Sequence, residues 1–492
     1  MGDETELKFE AGERDVPDLD GAVTVDERAT DLWATYWDTP SHDLLRLGIS
    51  LRHRTASDGS EDRWTLKVGR REDGDATVRR EVNADGPADA PPTELDALVH
   101  DVVGGSGLRA VATIRTRRRV RHLGVDLFTP LVELAEDLVT SHVGDGDGPA
   151  FREVEVELLR DDGRDLLDAV GDQLRAAGLR PSSAPSKIAH VLGAPPDRRR
   201  PELRRSSDVE RFAAAVVGDG YEVLLTNAPL LRLGDDRDAV HDARVATRRL
   251  RALLQLLRPA LRRAEVDHVR DELKWLGGLI GDVRDDDVLI DWVRTADPAP
   301  PDGTEGSREE LVARLEGRRA VHHTSLVSAM GGDRHRALLD TLARWAEQPP
   351  VRRSARGTDA ADLVAARAGR RWRTVRKAVR RLPDEPTPEQ LHSVRKRLKK
   401  VRYAAQAGRE VGLRSKRFAS RAGRVQDELG DLHDDVVAAR WLDAHRGDFH
   451  DETSFAAGRL SARAEVRRDE REAAWLDVWD RLDTRKAVRW MG

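Results

Sequence analysis

The stretch VHDARVATRRLRALL, residues 240–254, sets a histidine and four arginines ahead of an apolar run. About 150 residues later, LHSVRKRLKKVRYAA, residues 391–405, repeats the arrangement. At about 100° per residue, the spacing predicts two helices, each with one basic face. The first face carries His241, Arg244, Arg248 and Arg251, flanked by Arg249. The second carries His392, Arg395, Lys399 and Arg402, and Lys396 adds charge beside it.

Neither basic face has the acidic neighbours that usually neutralise a solvated helix. Asp242 is the only acid in residues 240–254, and residues 391–409 contain none, so the i+4 partners are missing. The two faces therefore favour binding of a polyanion. Tyr403 is the one aromatic side chain offered for base stacking, and a phosphate chain suits arginine and lysine better than nucleic acid does.

The two helices belong to a longer internal repeat. IGDVRDDDVLIDWV, residues 280–293, and LGDLHDDVVAARWL, residues 429–442, are identical at six of fourteen positions at an offset of 149. The basic helices share an offset of 151. We therefore predict a duplicated all-α unit, with copies at roughly 208–346 and 359–492. For the paired acids we expect ion pairs with arginines rather than a metal site: Asp285, Asp286, Asp434 and Asp435.

The chain before this half differs in composition. Residues 1–200 hold 27 Lys and Arg against 40 Asp and Glu, a net −13, whereas residues 201–492 carry +8. Short alternating segments, such as DRWTLKVG and FREVEVELL, are separated by Gly/Asp-rich turns and predict an antiparallel sheet or barrel. We predict a first domain at 1–193, a Pro/Arg-rich linker at 194–207 and a helical domain at 208–492.

The whole sequence also limits where the protein works. None of its 492 residues is cysteine, and no apolar run approaches the length of a membrane span. The first residues, MGDETELKFE, lack the basic and apolar regions of a signal peptide. We expect a cytoplasmic protein with no membrane partner, and association with polyphosphate granules stays open.

The second half resembles the CHAD domain, the conserved-histidine α-helical domain. The resemblance rests on HDARVATRRLRALL, HSVRKRLKKVRY and the two segments of the form G-D-[VL]-[RH]-D-D. It implies a pseudo-symmetric helical fold that binds inorganic polyphosphate. The implied contacts are His241, Arg244, Arg248, Arg249, His392, Arg395, Lys399 and Arg402.

Charged residues also alternate along the segments of the first half. Glu4, Glu6 and Lys8 share one face of a strand, and the same alternation recurs in LRHRT, RRE, IRTR and REVEVEL. If these faces turn into a barrel, its interior holds acids and bases instead of the usual apolar filling. Such an interior suits a metal ion bound together with phosphates, because Mg²⁺ and Mn²⁺ prefer carboxylate oxygens and arginines bind phosphate oxygens.

This half resembles the CYTH family, the triphosphate tunnel metalloenzymes. The resemblance covers about residues 3–193 and includes E-x-E-x-K, YWDTP (36–40), LRHRT, TLK (65–67) and PSKIAHVLG (185–193). It implies an α+β protein whose first domain is an eight-stranded antiparallel β-tunnel with helices. The implied metal ligands, for Mg²⁺ or Mn²⁺, are Glu4, Glu6, Glu155 and Glu157. The implied substrate ligands are Lys8, Arg52, Arg54, Lys67, Arg79, Arg115, Arg117 and Lys187. Asp137 matches an acidic position of the family and, with Glu4, Glu6, Lys8 and Arg115, completes the expected catalytic set.

Three positions qualify this assignment. Arg115 stands where many family members carry lysine, and arginine does not give up its proton, so the exchange puts hydrolysis in doubt more than binding. Glu153 shares a face with Glu155 and can replace it as a metal ligand. His53 alternates with Arg52 and Arg54 and is expected outside the tunnel.

Hydrolysis of inorganic triphosphate is the activity we expect, because it needs no pocket for an organic group. Thiamine triphosphate hydrolysis and cyclic AMP synthesis are alternatives on the same fold. A non-catalytic adaptor that binds polyphosphate is a third reading, and a nucleic-acid binder is disfavoured. The sequence does not predict the oligomeric state.

Overall fold

The structure is a computed structural model that describes residues 2–193, 201–296 and 306–492. These residues form two compact units, one within residues 1–199 together with Leu225–Leu233, and one within residues 200–224 together with Gly234–Gly492. The expected linker at 194–207 lies outside the described residues up to position 200, so the linker boundaries stay a prediction.

The first unit is built on a closed antiparallel barrel. In ring order, the eight strands are β1 (Gly2–Glu10), β5 (Ala76–Ala84), β4 (Asp62–Asp73), β3 (Ser50–Ala56), β2 (Val23–Asp38), β6 (Arg109–Gly124), β7 (Val132–Val143) and β9 (Phe151–Leu158). Strand β9 pairs with both β7 and β1 and so closes the ring. Two short strands, β8 (Gly146–Asp147) and β10 (Arg180–Pro181), extend the pairing of β7 and β1. The predicted eight-stranded tunnel is confirmed.

Four helices accompany the barrel: α1 (Asp43–Arg46), α2 (Thr93–Val103), α3 (Arg164–Ala176) and α4 (Lys187–Leu192). Helix α3 covers the outside of the barrel, where its Val170 and Leu174 form one core with Leu7, Phe9 and Val156. Because side chains alternate along a strand, this apolar outer face leaves Glu6 and Lys8 of β1 pointing inward.

Helix α4 closes part of the barrel's interior with apolar side chains. Ile188 and Val191 of α4 pack with the inward-facing residues Tyr36, Ile114 and Val139. Charged residues line the remainder of the interior. The tunnel therefore has an apolar end beside α4 and a polar chamber next to it.

The YWDTP segment that contributed to the resemblance has a structural role here. The buried carboxylate of Asp38 accepts hydrogen bonds from the backbone N–H groups of Thr39, Leu44 and Leu45 at 2.6–2.9 Å. It thereby satisfies donors at the start of α1 that would otherwise be unpaired. Burial raises the pKa of Asp38, against the lowering effect of these three hydrogen bonds.

The second unit is helical apart from two single-residue β-bridges. Its described helices are α5 (Val209–Leu233), α6 (Arg237–Leu257), α7 (Arg263–Thr295), α8 (Ser307–Met330), α9 (Asp333–Glu347), α10 (Ala360–Val379), α11 (Pro388–Glu410), α12 (Lys416–His445), α13 (Asp451–Leu482) and α14 (Arg485–Val488). The end of α5 is the segment grouped with the first unit. Helix α11 begins with a capping box between Thr387 and Gln390 and with proline at its first position, both strong start signals.

The internal repeat is visible in the packing and in buried ion pairs. Helices α6, α7 and α8 pack in succession, as do α11, α12 and α13. In the first copy, Arg318 and His322 bind Asp286 at 2.7 and 2.6 Å. In the second copy, Arg467 and Arg471 lie 3.6 and 3.5 Å from Asp435. All three positions are related by an offset of 149.

Three of the four acids of the repeat form the ion pairs expected of them. Asp286 and Asp435 are bound as described, and Asp285 binds Arg244 at 2.7 Å. Asp434 differs, because burial and the nearby Asp431 and Asp285 raise its pKa to about 6 despite the opposing charge of Arg395. It is the acid of the four that the surrounding arginines neutralise least.

Candidate active site and cationic groove

The barrel interior is a charged chamber of about 330 Å³. Inward-facing strand positions supply both signs of charge, and Lys187 enters from α4. The basic lining residues include Lys8, Arg52, Arg54, Lys67, Arg79, Arg118 and Lys187. The acidic ones include Glu4, Glu61, Glu81, Glu133, Glu155 and Glu157. Six of the eight expected substrate ligands therefore face one cavity.

Acid–base pairs hold several of these basic side chains in place. Lys67 donates to Glu4 at 2.7 Å, and Arg54 lies 2.7 Å from Glu61. Arg52 donates to the Tyr36 hydroxyl at 3.3 Å. Burial leaves Arg52 and Arg54 partly desolvated. Partial desolvation strengthens their interaction with any anion that enters the chamber.

One group of carboxylates has too little positive charge around it. Glu157 has neither an ion pair nor a hydrogen bond within the described part of the chain, and burial together with Glu4 and Glu133 raises its pKa to about 8. Glu6, paired with Glu157 across β1 and β9, is buried. Its Oε2 atom lies 2.9 Å from Lys8, and its Oε1 atom has no hydrogen-bond partner. Unpaired carboxylate oxygens of this kind fit a divalent cation with oxygen ligands.

Side-chain cations surround a second group of carboxylates, whose spacing is close enough to hold a metal ion. Ligand atoms of Asp137, Glu153 and Glu155 lie within 4.8 Å of one another. Lys187 reaches all three, at 3.0, 2.8 and 2.7 Å, and Arg118 binds Asp137 through two nitrogens at 2.8 and 2.6 Å.

The consequence is clearest at Glu155, which was expected to bind metal. Burial opposes its ionisation, but Lys187, Lys8 and Arg118 together hold the pKa of Glu155 well below its usual range. Glu155 also pairs directly with Lys8. In this arrangement Glu155 and Asp137 position three cations at the inner wall of the chamber.

The expectation that Arg115 and Arg117 face the tunnel is wrong. Their side chains are 46% and 67% exposed on the outside of β6, where both approach Asp31 and Arg115 stacks over Trp33. The inward positions of β6 are 114, 116, 118 and 120, so Arg118 takes the place inside and is only 13% exposed. The register follows from pairing with β2, in which Thr30 opposes Arg118 and Asp31 opposes Arg117.

This correction removes the concern attached to Arg115. The exchange of lysine for arginine lies on the outer surface and not in the chamber. His53, by contrast, behaves as expected: it is absent from the chamber lining and packs edge-on against Trp64, with ring centroids 5.3 Å apart.

In the helical unit, a groove of about 780 Å³ runs beside α6 and α11. Of the ten residues named on the two basic faces, which were expected to bind polyphosphate, four line it: Arg248, Arg251, Lys396 and Lys399. Five further cations of α7, α10 and α11 line the groove: Arg270, Arg367, Arg371, Arg397 and Lys400. Its remaining side chains are Ala252, Gln255, Thr374, Ser393 and Tyr403, so no carboxylate lines it within the described ranges.

The other expected contacts lie around this groove and several have partners. Arg249 binds Glu410 at 2.7 Å, and Arg244 binds Asp285 as noted. Arg395 and Arg402 approach the backbone oxygen and the side chain of Gln426, at 3.5 and 3.0 Å. Carboxylates therefore compensate the charges of Arg249 and Arg244, whereas Gln426 is neutral and compensates neither Arg395 nor Arg402.

The histidines are arranged differently in the two copies. His392 stacks on His433 with ring centroids 4.0 Å apart. Burial, followed by the positive charge of nearby residues, lowers the pKa of both to about 4. The pKa of His241 is also lowered, by burial and by Arg284, the residue that corresponds to His433. All three imidazoles are therefore neutral near pH 7.

The groove concentrates positive charge at an energetic cost. Burial, then Arg395 and Arg248, lower the pKa of Lys399 to about 7, and burial with Arg367 lowers that of Arg371 to about 10. Like charges held this close destabilise one another, and a bound polyanion would relieve the repulsion.

Known proteins match both units. A model of the CYTH domain matches residues 2–191 and a model of the CHAD domain matches residues 215–443. The uncharacterized protein Rv2226 of Mycobacterium tuberculosis is 34% identical over 469 residues, which cover 89% of this chain and 88% of that protein.

Two solved structures are each similar to one part of the chain. The CHAD domain from the plant Ricinus communis is 22% identical, with a TM-score of 0.47, and the match covers 59% of this chain and 95% of that one. HpAC1 from Hippeastrum, an adenylyl cyclase candidate described as having a dominant triphosphatase activity, is 18% identical with a TM-score of 0.26. That match covers 38% of this chain and 93% of HpAC1.

No helix within the described ranges has both the length and the apolar character that a membrane crossing requires. With a relative matched over most of both chains and both domain models in place, the chain belongs to the family of proteins that join a CYTH domain to a CHAD domain.

Proposed function

We propose that the tunnel hydrolyses inorganic triphosphate with Mg²⁺ or Mn²⁺ and that the groove of the helical unit binds inorganic polyphosphate. CYTH domains are metal-dependent and act on substrates that contain a triphosphate. The observation that carries the proposal is that one chamber holds nine basic side chains together with Glu157, a carboxylate that has too little positive charge around it.

The carboxylates of Glu4, Glu6 and Glu157 are the proposed metal ligands. A divalent cation held there supplies charge neutralisation to phosphate oxygens and lowers the pKa of water. Glu155, expected to join them, instead orients Lys8, Lys187 and Arg118 toward the substrate. In hydrolysis, the oxygen of water bonds to a terminal phosphorus while the bridging P–O bond breaks, giving phosphate and diphosphate.

The basic residues bind and orient the triphosphate chain. Arg52, Arg54 and Lys67 lie on β3 and β4, while Arg118 and Lys187 enter from β6 and α4. Fixed cations in a partly desolvated cavity stabilise charge as it develops on the phosphate oxygens, and they need no rearrangement during the reaction.

The shape and lining of the chamber favour a short inorganic substrate. The apolar packing of α4 against Tyr36, Ile114 and Val139 leaves little room for a long chain to thread past that end. Tyr36 is the single aromatic residue of the lining among the described residues, so a nucleobase or thiamine ring has little to stack on. These features support inorganic triphosphate over ATP and thiamine triphosphate.

The groove supports polyphosphate as the partner of the helical unit. Its nine arginines and lysines match a chain of phosphates, and its one aromatic residue, Tyr403, offers little for reading bases. The same composition disfavours nucleic acid.

Neighbouring arginines on opposite faces of β6 test the tunnel proposal. Replacing Arg118→Gln removes a chamber cation, and we expect kcat/KM for triphosphate hydrolysis to fall at least about a hundredfold. The matched variant Arg117→Gln makes the same chemical change one residue away on the outer surface and should keep the rate within about twofold.

Phosphate release under Mg²⁺, with thermal unfolding of both variants as a check on folding, makes the comparison. Equal losses in the two variants, or none in Arg118→Gln, would contradict the proposed chamber.

The pKa of Glu157 predicts how metal binding depends on pH. Its pKa of about 8 means that, without metal, the carboxyl carries a proton at lower pH, and metal must displace it. We expect Mn²⁺ affinity to rise about tenfold per pH unit below 8 and to level off above it. Calorimetric titration over a pH range that extends from about 6 to about 9 measures this, and Glu157→Gln should bind more weakly with a flatter profile. A flat profile for the unchanged protein would rule out this ligand.

The groove proposal predicts a local effect on polyphosphate affinity. Arg248→Gln/Lys399→Gln should weaken binding roughly a hundredfold at fixed salt, because two charge-assisted contacts are lost. Arg262→Gln/Arg334→Gln changes the net charge equally at exposed arginines that already have carboxylate partners, and should change affinity little. Anisotropy of labelled polyphosphate measures both. Tighter binding of duplex DNA at the same salt would overturn the assignment.

A further inference from the structure

Helix α10 carries more positive charge than the groove uses. From Leu363 to Arg381 the sequence LVAARAGRRWRTVRKAVRR holds eight basic residues and no acid. Arg367 and Arg371 line the groove. The exposed basic residues that continue around the helix are Arg370, Arg373, Lys377, Arg380 and Arg381. The helix therefore extends positive charge from the groove onto its solvent side.

The far side of α10 packs against the last residues of the chain. Arg376 of α10 binds Asp483 at 3.0 Å. A Cβ atom at Gly369 would lie 3.0 Å from the backbone oxygen of Met491, so the backbones approach closely there. Helix α14 and the turn after it expose three further cations, Arg485, Lys486 and Arg489.

Helix α12 joins this terminal segment from the other side. The Arg421 guanidinium donates to the backbone oxygen of Arg481 and to the Thr484 hydroxyl, the latter at 3.3 Å. Partial burial, followed by the charges of Arg417 and Arg424, lowers the pKa of Arg421. We call the resulting patch the second cationic surface: Arg417, Arg421, Arg424, Arg485, Lys486 and Arg489.

Little negative charge compensates this surface. None of its six residues forms an ion pair in the part of the chain that the structure describes, and the same holds for Arg370, Arg373 and Lys377 of α10. Asp483, the nearby acid, is bound by Arg376. Positive charge thus continues from the groove, over α10, to the second cationic surface.

We propose that inorganic polyphosphate long enough to leave the groove continues over α10 and binds the second cationic surface, so that the helical unit discriminates chains by length. The proposal rests on polyphosphate binding in the groove. A helix with its side chains is about 10–12 Å across, so a short chain seated in the groove does not reach the far side of α10. Guanidinium groups predominate here and Trp490 is buried, which suits phosphates rather than bases.

Binding of size-selected short and long polyphosphate to the full chain tests this proposal, in the presence of a chelator so that the tunnel does not hydrolyse the probe. Arg417→Gln/Lys486→Gln/Arg489→Gln removes exposed cations of the second surface. It should weaken long-chain binding roughly tenfold and leave short-chain binding within about twofold. The dependence of long-chain affinity on salt should also become shallower, by roughly two in the logarithmic slope.

Two further variants separate a local effect from a general one. Arg370→Gln/Lys377→Gln interrupts the path over α10 and should reproduce the selective loss for long chains. Arg262→Gln/Arg294→Gln/Arg334→Gln lowers net charge as much as the triple variant does, but at arginines paired with Glu265, Glu316 and Glu272. This control should leave both chain lengths unaffected.

The outcomes distinguish this proposal from the groove proposal on which it rests. Equal weakening of short and long chains by the triple variant, or an effect no larger than the control's, overturns the length discrimination. So does duplex DNA that outcompetes long polyphosphate at this surface. If Arg248→Gln/Lys399→Gln binds both chain lengths normally, the groove proposal itself fails.

Discussion

A closed barrel turns every second side chain of its strands inward, and here most of those side chains are charged. Burying a charge is costly unless another charge or a hydrogen bond compensates it. The chamber meets this constraint by pairing: Lys67 with Glu4, Arg54 with Glu61, and Lys187 with three carboxylates. A core of apolar residues would close the same barrel more simply, so the charged interior points to a ligand.

Pairing is incomplete at Glu157 and Glu6, and these two carboxylates define the proposed metal site. Glu157 retains a proton up to about pH 8, and Glu6 has an unpartnered oxygen, because the acids there outnumber the cations within reach. Nearby, Lys187, Arg118 and Lys8 pair with Asp137 and Glu155, whereas the buried Glu153 binds Lys187 through one oxygen and keeps the other without a partner. The chamber thus separates an acid-rich region, suited to a metal ion, from a region in which Asp137 and Glu155 pair with side-chain cations.

The helical unit solves the opposite problem. Its groove gathers one sign of charge from α6, α7, α10 and α11, and no acid among the described residues lines it. The cost appears in the lowered pKa values of Lys399 and Arg371. The chamber supplies most of its own counter-charges, whereas the groove depends on a ligand to supply them.

Alternation along the sequence was enough to place most chamber residues. On β3, and on β1 from Glu4 onward, only one set of alternate positions is charged, so Glu4, Lys8 and Arg52 could be assigned a direction. On β6 it failed, because arginines at 115, 117, 118 and 119 occupy both faces, and only pairing with β2 determines the register. Glu133 was missed for want of a charged pattern around it.

Longer-range proximity was also beyond the sequence pattern. The contact of Lys187 with Asp137 joins residues fifty positions apart, and no pattern in the sequence near either residue predicts it. In the helical unit, the duplication and both basic helices were predictable from the repeat. Arg367 and Arg371 were missed, although the absence of acids from Leu363 to Arg381 is the same signal that identified α6 and α11.

The central claim is that the chamber is a metal-dependent triphosphatase. The most direct measurement is phosphate release from inorganic triphosphate, with ATP and thiamine triphosphate for comparison, by the intact chain and by Glu4→Gln/Glu6→Gln, first with Mg²⁺ and then with Mn²⁺. The account predicts turnover that requires metal, prefers triphosphate and disappears in the double variant. Tight retention of triphosphate without turnover under either metal would contradict it and identify the chamber as a binding site.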